Sequence, residues 1–161
     1  MESNVLYLIP VLGIFGLVVM AVKSAWVKKQ ATGDEKMVEL STYIAEGAMA
    51  FLKAEWKVLT YFAIVAAILL GWSGTLVETS SPWIAGSFIV GAVFSAYAGY
   101  LGMNIATQAN VRTTQAARTS LKDSLKVAFT AGTVMGLGVA GLAVFGLGVL
   151  FLVLYYGYVL K

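Results

Sequence analysis

Among its 161 residues the chain has no cysteine and no histidine, and only 12% of its side chains are charged. Without cysteine there is no disulfide scaffold. Without histidine the usual general base at neutral pH and the commonest metal ligand are gone. So little charge, combined with 60% hydrophobic residues and a mean hydropathy of +0.85, lies outside the range of soluble globular domains. It also excludes an intrinsically disordered chain or a coiled coil, both of which are rich in charge. What remains is a chain for the bilayer.

The few charges are unevenly placed. Uncharged runs of 20, 20, 33 and 34 residues separate Glu2 from Lys23, Lys57 from Glu78, Glu78 from Arg112, and Lys126 from Lys161. A hydrocarbon core of about 30 Å is crossed by a helix of about 20 residues, so each run suffices for one crossing. These runs predict an all-α, polytopic membrane protein with four transmembrane helices, spanning about 5–22, 58–77, 83–110 and 127–158 of one membrane domain, 1–161. The first run has no basic residue ahead of it and its positive charges follow, the reverse of a secretory signal peptide, so it is read as a retained span.

Ten of the eleven Lys and Arg residues fall in two connections: Lys23, Lys28, Lys29, Lys36, Lys53 and Lys57, then Arg112, Arg118, Lys122 and Lys126. The positive-inside rule makes loops 23–57 and 111–126 cytoplasmic and puts both termini, and the turn from Gly71 to Pro82 that holds Glu78, outside. Trp72, Trp83, Tyr155, Tyr156 and Tyr158 then fall near the outer interface and Trp26, Trp56 and Tyr61 near the inner one, as an aromatic belt would. Sidedness accounts for the net charge of +3. No basic cluster is interleaved with base-stacking aromatics, so no nucleic-acid partner is expected.

Within the first basic connection, Thr32 and Glu35 have the spacing of a capping box. Leu40, Ile44, Ala48, Phe51 and Leu52 recur on one helix face, with Glu39, Glu46, Lys53 and Lys57 mostly off it. No breaker interrupts the way to the second run, which predicts a single helix from about Gly33 to Leu76, a span with a long cytoplasmic extension. A helix lying in the interface is the competing reading of 34–56. Its acidic polar face argues against anionic lipid and for packing on other protein.

In the third run Ser87, Gly91, Ser95 and Gly99 recur every four residues, and the fourth carries Gly132, Gly136, Gly138, Gly141, Gly146 and Gly148. Small residues at such spacing let helix backbones approach in lipid, where packing must drive association, and most of the 17 glycines are read this way. Gly136-Leu137-Gly138-Val139-Ala140-Gly141 fits a GxGxxG pattern, but it follows no strand and meets no acidic ribose contact.

Chemistry is scarce. An ion pump or proton channel normally keeps an ionisable group in its spans, and all four runs have none. Asn104, Thr107, Gln108, Asn110, Thr130 and Thr133 can hydrogen-bond between helices but cannot titrate. A rotary ATPase proteolipid, similar in length and glycine content, needs a mid-membrane carboxylate, and neither Glu78 nor Asp123 lies at that depth. Arg118, Lys122 and Lys126, four residues apart, would line one side of a helix and with Arg112 offer a phosphate site; topology and lipid head groups explain the same charges. Asp34 and Glu35 suit a helix start. No metal constellation appears, and no catalytic, cofactor-binding or metal residue is assigned.

The stretch Gly99-Tyr100-Leu101-Gly102-Met103-Asn104-Ile105-Ala106-Thr107, continuing through Ala109-Asn110-Val111-Arg112 to Ala116-Ala117-Arg118, resembles the membrane-integral, ion-translocating pyrophosphatases. Met37-Val38-Glu39-Leu40-Ser41-Thr42-Tyr43-Ile44-Ala45-Glu46-Gly47-Ala48 is similar to their motif after the first span. The segment from Leu125-Lys126-Val127-Ala128-Phe129 to Gly132-Thr133-Val134-Met135-Gly136-Leu137 resembles the opening of their fourth. The resemblance implies a pump that hydrolyses inorganic pyrophosphate with Mg2+, in some members with K+ or Na+, and moves H+ or Na+ as a homodimer of sixteen-span subunits. This chain corresponds to about the first quarter, outer-ring helices that pack on the remaining helices of the same pump. The family's Asp-Val-Gly-Ala-Asp-Leu-Val-Gly-Lys motif does not occur in it, so the resemblance transfers no site residue and the chain alone is expected to be inactive. The rival reading is an autonomous four-span protein that assembles through its glycine faces.

Overall fold

The computed structural model describes residues 2–76 and 80–159. All of its regular structure is helical, in the order α1 (Glu2–Lys28), α2 (Glu35–Leu76), α3 (Trp83–Ala117) and α4 (Leu121–Val159). Each is long and apolar enough to cross a membrane. The helices overrun the uncharged runs because a charge ends a span without ending a helix: Lys23 and Lys28 sit within α1, and Arg112 within α3. The turn residue Glu78 falls outside the described residues.

The uninterrupted α2 agrees with its sequence. Its 42 residues extend about 63 Å, twice the hydrocarbon thickness. Its start differs from the expected one. Asp34, not Thr32, is the cap: its Oδ1 accepts the Met37 amide hydrogen at 3.0 Å. The chain enters that cap through Gly33 at φ +87°, and a Cβ there would meet the Met37 Sδ at 2.6 Å, so a glycine holds this corner. Ser120 caps α4 in the same manner, accepting the Asp123 amide.

The four helices form an open row rather than a closed bundle. α4 lies between α1 and α3, and among the described residues α2 packs on no helix but α3. Sequence neighbours α1 and α2 therefore stand at opposite edges. The α1–α4 seam is the tightest. Gly13 faces the Phe145 backbone, Gly141 takes the side chain of Leu17, Gly138 that of Met20, and Gly148 sits on the buried Pro10. Here a missing Cβ is what permits the approach. At its core Val27, Ile105, Ala109, Ala131 and Val134 from three helices come together, with Met20 and Trp26 against them.

The expected stripe on α3 behaves differently. Cβ atoms added at Gly91, Gly99, Gly132 or Gly136 would meet nothing within 4 Å. These glycines are not packing glycines within this chain, which corrects the sequence reading: small residues permit an approach, and whether a helix arrives depends on the neighbour. Ser95 and Gly99 instead floor two apolar grooves, about 620 Å³ between α2 and α3 and about 490 Å³ between α3 and α4. Leu40, Ile44 and Phe51 on the stripe of α2 are likewise more than half exposed, while Leu52 is buried.

Candidate functional site

Both basic connections lie at one end of the row, where the polar interactions concentrate. Arg112, in the last turns of α3, donates from Nη1 to the Gln108 carbonyl at 2.7 Å and from Nη2 to the Lys28 carbonyl at 3.1 Å. The second bond serves an orphan acceptor at the end of α1, where a cation also suits the helix dipole. Arg112 Nε is buried without a partner, and burial pulls this guanidinium below its ordinary value. Arg118, just past the end of α3, pairs with Asp34 at 2.9 Å and also donates to Gln115 Oε1. The Met37 amide, and after it Arg118, hold the Asp34 carboxyl below the usual carboxylate range. One short loop is thus fastened at both ends, at Lys28 by Arg112 of α3 and at Asp34 by Arg118 just beyond it.

This arrangement breaks up the phosphate site suggested by spacing. The expected helix through Arg118, Lys122 and Lys126 is interrupted, because α3 ends at Ala117 and α4 begins at Leu121. Three of the four cations turn to different neighbours. Arg112 and Arg118 bind acceptors of the chain, and the Lys126 ammonium lies 5.4 Å from the centroid of the Trp26 ring. Lys122 is exposed. The four cations do not converge on one anion. Sequence reasoning missed the partner Asp34, whose spacing three residues before Met37 was its only local signal.

The amide and threonine side chains Asn104, Thr107, Gln108, Thr130 and Thr133 inside the predicted spans close on their own helices rather than between helices. Thr107 donates to the Met103 and Asn104 carbonyls, Thr130 to Lys126 and Thr133 to Phe129. Asn104 donates to the Tyr100 hydroxyl and accepts from Gln108 Nε2, so Tyr100, Asn104, Gln108 and Arg112 form a ladder at four-residue steps. At the far end the Tyr7 hydroxyl donates to that of Tyr156 at 2.7 Å, a pairing with no short-range signal. The GxGxxG stretch from Gly136 to Gly141 lies inside α4 and not at a strand-to-helix turn, so it is no phosphate loop.

Among the described residues no three acidic side chains gather as metal ligands would. Asp34 is engaged as a cap and an ion pair, and Glu39 accepts the Tyr43 hydroxyl at 3.0 Å.

Comparison with known proteins gives this helical row its relatives. A family model described as inorganic H+ pyrophosphatase matches residues 14–159. A K(+)-stimulated pyrophosphate-energized sodium pump from Thermotoga maritima is 46% identical over 136 residues, 83% of this chain and 18% of that protein. A K(+)-insensitive pyrophosphate-energized proton pump from Moorella thermoacetica is 39% identical over 144 residues, 89% of this chain and 20% of that protein. The chain spans about a fifth of the length of the curated relatives it matches. With nearly all of its described helices inside that match, the chain belongs to the inorganic H+ pyrophosphatase family.

Proposed function

We propose that this chain works as part of the membrane body of a pyrophosphate-energised H+ or Na+ pump, a row of bracing helices that does not itself touch pyrophosphate. The observation that carries this reading is the match over residues 14–159 together with relatives described as pyrophosphate-energized sodium and proton pumps. The open row supports it: α2 and α3 leave apolar grooves and an exposed small-residue stripe suited to further helices of the same pump. The uncharged spans support a bracing role, since conduction draws on groups that titrate.

In this reading Mg2+, with K+ or Na+ where a pump uses them, binds to other parts of the pump, as does pyrophosphate. The assembled pump is a homodimer. The chain forms one membrane domain with both termini outside and loops 23–57 and 111–126 in the cytoplasm, supported by the gathering of those loops at one end of the row. Purified chain reconstituted in proteoliposomes with Mg2+ and pyrophosphate tests the assignment of chemistry elsewhere: phosphate release should equal that of protein-free vesicles. Release that rises with the amount of chain would overturn it.

A further inference from the structure

We propose that the basic end of the α1–α4 seam seats one anionic phospholipid, with Lys122 and Lys126 on the headgroup phosphate and Val22 and Phe129 beside the acyl chain. The seam differs from the rest of the basic end in how its charge is used. Arg112 and Arg118 are occupied by acceptors of the chain itself. Lys122 and Lys126 have no ion pair among the described residues, where Asp34 and Arg118 form the single salt bridge. Residues 22–29 and 121–129 hold five lysines and one carboxylate, Asp123, so the two helix ends present net positive charge.

The geometry suits a headgroup more than a soluble anion. Lys126 rests by its ammonium over Trp26, whose ring is anchored against the core of α1, α3 and α4. A cation held on an anchored ring keeps its remaining N–H donors turned outward. Lys122 lies one turn further out on the same face of α4. One turn further into the membrane the surface becomes apolar: Val22 below Trp26 is 66% exposed and Phe129 below Lys126 is 72% exposed. Cations above and bare apolar side chains below match the two halves of a phospholipid, whereas free phosphate would use only the upper half. The comparable pair on α2, Lys53 and Lys57, has Glu55 between its members as Asp123 lies between Lys122 and Lys126, but it packs on α3, which holds no lysine, and so lacks the further lysines that α1 brings to the seam.

The test is retention of lipid by the whole chain. Protein reconstituted in vesicles of mixed phosphatidylglycerol and phosphatidylcholine is extracted in mild detergent, and bound lipid is read by native mass spectrometry. Wild type should retain phosphatidylglycerol over phosphatidylcholine, and excess inorganic phosphate should displace it no better than another salt of equal ionic strength. Near a membrane surface each lysine accounts for about a fivefold preference at low salt, so Lys122→Gln with Lys126→Gln should lower retention about thirtyfold. Lys122→Arg with Lys126→Arg should retain it, and Lys53→Gln with Lys57→Gln should leave it unchanged. Wild-type retention by the glutamine pair, an equal loss from the α2 pair, or specific displacement by phosphate would each overturn the proposal. If the glutamine pair fails to fold, Lys122→Gln alone, at an exposed helix start, carries the test with a loss of about fivefold.

Discussion

A single methyl group added at Gly13 should separate α1 from α4. Its Cβ would lie 2.6 Å from the Phe145 amide nitrogen and 2.8 Å from the Phe145 Cα, where ordinary contact begins at 3.4 Å. The obstacle is backbone, so no side-chain rotation relieves it; the helices must part locally by roughly 1 Å, enough to forfeit up to half of the dispersion energy of the affected contacts. Those contacts include Leu17 on Gly141 and Pro10 on Gly148, the neighbours along the same seam. Overpacking of this kind costs about 1–3 kcal/mol. Alanine returns about 1 kcal/mol in helix propensity, which leaves a net loss for Gly13→Ala of up to about 2 kcal/mol. Gly91→Ala is the internal control, because nothing lies within 4 Å of its added Cβ. It should be neutral or gain up to about 1 kcal/mol, putting the two variants about 2 kcal/mol apart. Titration of the chain in mixed micelles with SDS, followed by tryptophan fluorescence and far-UV circular dichroism, measures both. A Gly13→Ala chain at least as stable as Gly91→Ala would refute the assignment of the tight seam to α1 and α4.

Three further outcomes follow from the basic end. Arg112→Lys cannot keep both carbonyl bonds from one ammonium at that reach and should cost about 1 kcal/mol in the same titration; an unchanged midpoint would remove Arg112 as the clasp on α1. The lowered Asp34 carboxyl contributes to the start of α2 above its unfolded value and loses that contribution as pH falls through its folded one. The Met37 amide resonance should therefore titrate with a midpoint below the ordinary carboxylate value, and Arg118→Gln should raise that midpoint; a midpoint at or above the ordinary carboxylate value would contradict the cap and ion pair. Because the chain has no cysteine, Ser120→Cys and Ser80→Cys report sidedness without background: in cells an impermeant thiol reagent should label Ser80→Cys only, and the reverse pattern would invert the proposed orientation.

The helices themselves were legible because charge is costly in hydrocarbon, so the gaps between charges mark the spans. The length of α2 was legible for the same kind of reason, since nothing between Met37 and Leu76 breaks a helix. The order of the row was not. Helices that are apolar on every face carry no amphipathic stripe to name their neighbours, so the pairing of α1 with α4 left little trace in the sequence. Gly141 and Gly148 stood out as packing glycines and proved to be, but Gly13, the closest approach of all, had no four-residue partner stripe to draw attention to it. Ser87, Gly91, Ser95 and Gly99 had such a stripe, yet a Cβ added at Gly91 or Gly99 would meet nothing within 4 Å. At the basic end, Arg118 was read on one helix with Lys122 because four-residue spacing cannot reveal a turn at Arg118–Ser120. Its partner Asp34 is 84 residues away, beyond the reach of any local pattern.

The proposed role of these four helices, to brace a pyrophosphate-energised pump, can be tested in a relative. The most direct measurement replaces the matching segment of the Thermotoga maritima relative with residues 14–159 of this chain and follows pyrophosphate hydrolysis and Na+ uptake in inverted vesicles, beside vesicles holding this chain alone. Hydrolysis coupled to uptake is expected in the chimera, and neither in the chain alone. Hydrolysis by the chain alone, or a folded, membrane-inserted chimera that neither hydrolyses nor transports, would contradict that role.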